Sequence, residues 1–99
     1  MQRYIKMYLQ EAPNLLERMQ QNLDNKDYAA LAMNAHSLKP QAEFMGLLEL
    51  KYTMMKVEEL GKTQARQEEL DALVRKAGQL HQQAAPKLER KVAELNNPK

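Results

Sequence analysis

The sequence predicts an all-α fold: an antiparallel up-down-up-down four-helix bundle with a short N-terminal capping helix. Three observations carry that expectation. Apolar residues recur at steps of three and four along nearly the whole chain, the spacing that gathers them on one side of a helix. Residues suited to ending helices fall at three separated places, Asn25 to Asp27, Gly46 and Gly61, which divides the pattern into four stripes. No stretch alternates apolar and polar side chains as a half-buried strand would. Short links between successive helices reverse the chain, so neighbours run antiparallel.

From Ile5 the positions Tyr8, Ala12, Leu15, Leu16, Met19 and Leu23 hold one helical phase across Pro13. That makes one kinked helix or two in line; proline is best tolerated in the first turn of a helix, so Pro13 is expected to open the main segment and residues 1–12 to pack as the short cap. The first reversal falls at Asp24 to Asp27. Asn25 is suited to the left-handed conformation that ends a helix, and Asp27 to the N-cap of the next. The second helix runs from about Tyr28 to Met45 along Leu31, Ala35, Leu38, Ala42 and Met45, and Gly46 closes it. Leu47, Leu50, Met54 and Val57 form the third stripe, ended by Gly61. After a polar link at Lys62 to Ala65, the last stripe passes through Leu70, Leu73, Ala77, Leu80 and Ala84 to Leu88, Val92 and Leu95. Pro86 is expected to interrupt that helix, so that the part beyond it projects from the bundle. Residues 1–99 thus read as a single domain with a frayed tail at 97–99.

A chain of 99 residues buries on the order of two thirds of its unfolded surface, enough for a core without staples. It has no cysteine, which removes disulfides and cysteine zinc sites and agrees with a reducing compartment. The net charge of +2 arises from interspersed opposite charges, so neither nucleic acid nor a membrane surface is indicated as a partner. No apolar run approaches the roughly 20 residues of a membrane span, and the N-terminus lacks the apolar stretch of a signal peptide. The expected setting is cytoplasmic, and the expected state is a monomer. No His-x-x-x-His or Glu-x-x-His pair, nucleophile elbow, P-loop or dinucleotide fingerprint occurs, so no metal or cofactor is expected.

The chemistry concentrates on the second helix. His36 follows the stripe residue Ala35, a rotation of about 100° that puts its imidazole at the edge of the core and toward solvent. A histidine in water, with pKa near 6.5, is mostly neutral at cytosolic pH and is then a nucleophile needing no general base. Lys39, one turn on, supplies a cation beside it. His81, next to Leu80 on the last helix, has no such lysine and reads as an edge-of-core or surface histidine. Glu58 and Lys62 form an i,i+4 pair on the third helix. They could face the histidine, but a solvated pair is the expectation. Met19, Met45 and Met54 fall on the stripes and read as core, whereas Met33 and Met55 fall off them.

The run Ala35-His36-Ser37-Leu38-Lys39, with Gly46 beyond it, resembles the histidine-containing phosphotransfer (HPt) domain. That family's helix carries Ala-His-x-Leu-Lys-Gly and then a second glycine six residues after the first. Pro40 stands here at the first glycine. The opening Tyr8 to Met19, Asp27-Tyr28, and Val57-Glu58 extend the resemblance over nearly the whole chain, although only the histidine helix is specific. The resemblance implies a phosphocarrier of a two-component phosphorelay rather than an enzyme. His36 would accept a phosphoryl group from a receiver-domain aspartate and pass it to another receiver, with Lys39 stabilising the acquired charge. Response-regulator receivers or a hybrid histidine kinase would be the partners, and Mg²⁺ would belong to the receiver. Met33, Glu43, Leu48 and Met55, off the core stripes, are candidates for the docking surface, together with Pro40 and Gly46 of the motif region. Pro40 keeps a second reading open, that of a helical adaptor or structural bundle that docks receivers without carrying phosphate.

Overall fold

The computed structural model describes residues 2–63 and 67–96. These residues form four helices and no strand: α1 (Gln2–Asp24), α2 (Tyr28–Phe44), α3 (Leu48–Lys62) and α4 (Gln67–Asn96). Packing joins α1 to α2, α2 to α3, α3 to α4 and α4 back to α1, with one core between them. Its buried residues are those of the stripes, from Tyr8, Ala12, Met19 and Leu23 through Leu31, Ala35, Leu38 and Ala42 to Leu50, Met54 and Val57. On α4 the buried line is Leu70, Val74, Ala77 and Ala84, with Leu73 and Leu80 only partly covered. Met19 and Met54 are fully buried, Met45 is half-buried, and Met33 and Met55 are exposed.

The separate capping helix does not form, because α1 continues unbroken through Pro13. Pro13 is exposed, so its ring points away from the core. An interior proline costs about 3 kcal/mol. Burying Ile5 and Tyr8 in phase with the rest of α1 returns roughly 1.5–3 kcal/mol for each large apolar side chain, enough to keep one continuous helix. Pro86 likewise sits exposed inside a continuous α4 and does not interrupt it. Tyr8 lies beside His81, and the side chain of Gln67 donates to the Leu23 carbonyl, so α4 passes the described start of α1 soon after Leu88. Beyond that point Leu95 is exposed.

The links show how each helix ends. At the first, the left-handed residue is Lys26 (φ 57°) rather than Asn25. The Lys26 N–H bonds the Leu23 carbonyl at 3.0 Å and the Asp27 N–H bonds Asn22 at 2.8 Å, the paired bonds of a Schellman end. Asp27 then caps α2 by accepting from the Ala30 N–H at 3.2 Å. Gly46 (φ 76°) closes α2 in the same way, its own N–H on Glu43 and that of Leu47 on Ala42. Gly61 does not terminate α3, which continues to Lys62. It is buried where α3 meets α2, and a Cβ there would stand 3.3 Å from both the Ala32 Cβ and the Tyr28 carbonyl oxygen. Of the polar link expected at Lys62 to Ala65, Lys62 is the last residue of α3 and Thr63 its C-cap, whereas Gln64 and Ala65, like the expected tail at 97–99, lie outside the described residues.

Candidate functional site

The close contact at Gly61 sets the geometry of the site. Without a side chain at that position, α3 approaches α2 near enough for Glu58, one turn earlier, to reach across. Glu58 follows the core residue Val57 as His36 follows Ala35, so both stand at the edge of their stripes and face each other. The side chain of Glu58 is 12 % exposed and that of His36 is 65 % exposed. His36 Nδ1 lies 2.9 Å from Glu58 Oε2. Lys39 Nζ donates to Oε1 of the same carboxylate at 2.9 Å, and Lys62 Nζ lies 3.4 Å from Oε2. The solvated Glu58–Lys62 pair expected from spacing is therefore part of the histidine site instead.

This carboxylate is ionised. The Lys39 hydrogen bond, reinforced by those from His36 and Lys62, lowers its pKa to about 2 despite the opposing effect of burial. An ionised carboxylate only accepts, so the hydrogen between it and Nδ1 belongs to the imidazole. In the neutral ring the lone pair is then on Nε2. The mostly exposed ring thus combines a nucleophilic nitrogen, a fixed tautomer and a nearby ammonium group.

Pro40 does not break α2. It is exposed one turn after His36, and having no N–H it gives the His36 carbonyl no backbone donor. The candidate docking residues divide into two groups. Met33, 71 % exposed, and Pro40 lie one turn to either side of His36. Met55 lines a groove with Lys39 and Glu58, and Glu43 is exposed with a 3.3 Å ion pair to Lys51. Gly46 and Leu48 are each ten residues along a helix axis from His36 or Glu58, about 15 Å, at the end of the bundle. The structure also brings in residues that spacing did not single out. Phe44 is exposed one turn beyond Pro40 and stacks at a tilt on exposed Tyr4, ring centroids 5.0 Å apart. With Met7 and Pro40 they line a cavity of about 290 Å³. The steps of four from His36 to Pro40 to Phe44 were the available signal.

His81 is half-buried, with Nδ1 3.0 Å from the hydroxyl of buried Tyr8. Burial lowers the His81 pKa against an opposing effect from Glu89, and it raises that of Tyr8 to about 12. The pair ties α1 to α4. Among the described residues no group of three or more His, Asp or Glu side chains is placed to hold a metal ion, and no helix is long and apolar enough to cross a membrane.

Compared with models of known families, residues 3–97 match the Hpt domain. Searches of the curated proteins and of the solved structures find no match.

Proposed function

The chain belongs to the Hpt domain family, and from that premise we propose that it is a phosphocarrier, taking a phosphoryl group on His36 from a receiver-domain aspartate and passing it to another receiver. The family places the chain in phosphotransfer of two-component signalling. The observation that carries the assignment to His36 is its Nδ1–H bond to ionised Glu58, which leaves Nε2 as the free nucleophile. The Nε2 lone pair attacks phosphorus, and the Nε2–P bond forms as the P–O bond to the donor aspartate breaks, releasing that carboxylate. Nδ1 keeps its hydrogen, so the phosphorylated ring is cationic. Glu58 holds that hydrogen and offsets the ring's charge, and Lys39 answers the charge of the phosphoryl oxygens. A protonated ring is the better leaving group, which suits an intermediate that is handed on. The chain acts here as substrate and carrier rather than enzyme, and Mg²⁺ and the remaining catalytic groups belong to the receiver.

The same reading takes residues 1–99 as one antiparallel up-down-up-down domain, acting as a monomer in the cytoplasm. Contacts of Tyr8 with His81 and Leu23 with Gln67, and of Glu43 with Lys51 and His36 with Glu58, support the antiparallel sense. The receiver docks on the outward side of α2, where Met33, Pro40 and Phe44 leave the helix apolar on both sides of His36, with Glu43 and Met55 at the flank.

Mixing the protein with a panel of phosphorylated receiver domains is expected to transfer an acid-labile, alkali-stable phosphoryl group, and His36→Gln is expected to remove it. Normal labelling of His36→Gln would move the site elsewhere. A wild-type chain that binds receivers but takes no label from any of them would replace the carrier with the adaptor reading.

A further inference from the structure

Glu58 serves two ammonium groups at once, and they differ. Lys39 is 28 % exposed and bonds its own oxygen at 2.9 Å, whereas Lys62 is 68 % exposed and stands at 3.4 Å from an oxygen already taken by His36 Nδ1 at 2.9 Å. The Lys62 ammonium is therefore no farther from the imidazole than those last two distances combined, and its contact is the looser one. Its long stem borders two depressions. One is the trough beside His36 lined also by Ala29, Ala32 and Gly61, and the other is the groove lined also by Lys39 and Glu59.

We infer that Lys62 is a second phosphate-holding cation, parked on Glu58 in the resting protein and released to the phosphoryl group once His36 carries it. The inference rests on the carrier reading above. Glu58 alone cannot balance both lysines, and a phosphoryl group on Nε2 brings up to two further negative charges to the other nitrogen of the same ring. Lys39 answers them from the histidine's own helix and Lys62 from the facing one, so the oxygens meet a cation on each side. Lys62 is the cation to move because it is mostly in water and its contact is longer. Glu58 keeps its bond to Nδ1 throughout.

The test uses the full chain and potassium phosphoramidate, a small donor that forms the Nε2–P bond as its own P–N bond breaks and ammonia leaves with a solvent proton. Labelling of His36 is followed by intact mass and ³¹P NMR in wild type, Lys62→Ala, Lys62→Arg and Lys39→Ala. Exposed ion pairs contribute about 0.2–1 kcal/mol, so Lys62→Ala is expected to label about 1.4- to 5-fold more slowly at low salt. Lys62→Arg is expected to restore the rate, and 1 M salt to erase the difference, since the Debye length there is about 3 Å. A Lys62→Ala protein that labels like wild type at low salt while Lys39→Ala does not overturns the inference and leaves the carrier reading standing. A deficit that persists in 1 M salt, or that arginine does not rescue, overturns it as well. A wild-type chain labelled at a residue other than His36 overturns both, and one left unlabelled by phosphoramidate overturns the inference while the receiver panel decides the carrier reading.

Discussion

At the scale of single residues the site depends on one carboxylate. Glu58 sets the histidine tautomer, holds the Lys39 ammonium beside the ring, and does so from a position mostly out of water. Its pKa, lowered to about 2 from the ordinary 4.5 chiefly by Lys39, links this arrangement to stability. A lowered folded-state pKa means that the ionised form is favoured by folding. The stabilisation is present in full above about pH 4.5 and is lost as pH falls toward 2. Wild type is therefore expected to lose more melting temperature than Glu58→Gln between pH 5 and pH 2. Parallel pH dependences of the two proteins would show that the carboxylate is not held as described. At neutral pH the same variant keeps a side chain able to accept from Nδ1 but loses the negative charge that favours the cationic ring, so phosphoryl labelling is expected to slow.

At the scale of elements, the site is made by the approach of α2 and α3, and a glycine permits it. Gly61, by sequence a helix end, is instead a contact point, buried against Ala32 and the Tyr28 carbonyl. In an exposed helix, glycine to alanine gains about 1 kcal/mol. Here the added methyl would meet two backbone-anchored neighbours at 3.3 Å, and overpacking of this kind typically costs about 1–3 kcal/mol. Gly61→Ala is expected to lower the melting temperature and to slow labelling of His36, because the helices must part and the 2.9 Å bond to Glu58 lengthens. A rise in melting temperature with labelling unchanged would show that the contact has room to spare. Pro40 acts differently. It is exposed and α2 continues through it, so its effect is confined to the missing donor for the His36 carbonyl and the compact surface beside the ring.

At the scale of the whole molecule, α2 is apolar on two sides. Its inner face, with Leu31, Ala35, Leu38 and Ala42, is fully buried in the core, while Met33 and Phe44 face outward with His36 between them. The outer face extends onto α1 through Tyr4 and Met7 around the 290 Å³ cavity. On the α3 side the Glu43–Lys51 ion pair intervenes before exposed Leu48 and Tyr52. On the proposed phosphocarrier reading, a receiver that brings an aspartyl phosphate against His36 would cover this ground. Phe44→Glu is expected to weaken transfer from a phosphorylated receiver about tenfold or more, as loss of an interface anchor does. Labelling by phosphoramidate and the melting temperature are expected to stay near wild type, since exposed substitutions usually change stability by no more than about 0.5 kcal/mol. Equal loss in all three measurements would assign Phe44 to the fold rather than to docking.

The sequence by itself determined what is local. Four stripes, the cap at Asp27, the glycine closure at Gly46 and the outward position of His36 each follow from a turn or two of chain, where periodicity and backbone preference act directly. The tertiary structure decided whatever depends on a distance between helices. Whether Pro13 divides α1 depended on how much apolar surface the other helices bury on either side of it. Whether Glu58 faces water or His36 depended on how near α3 comes to α2. An edge residue has two orientations of similar local cost, and only the contact of Gly61 with Ala32 and Tyr28 brings its carboxylate within 2.9 Å of both the imidazole and Lys39.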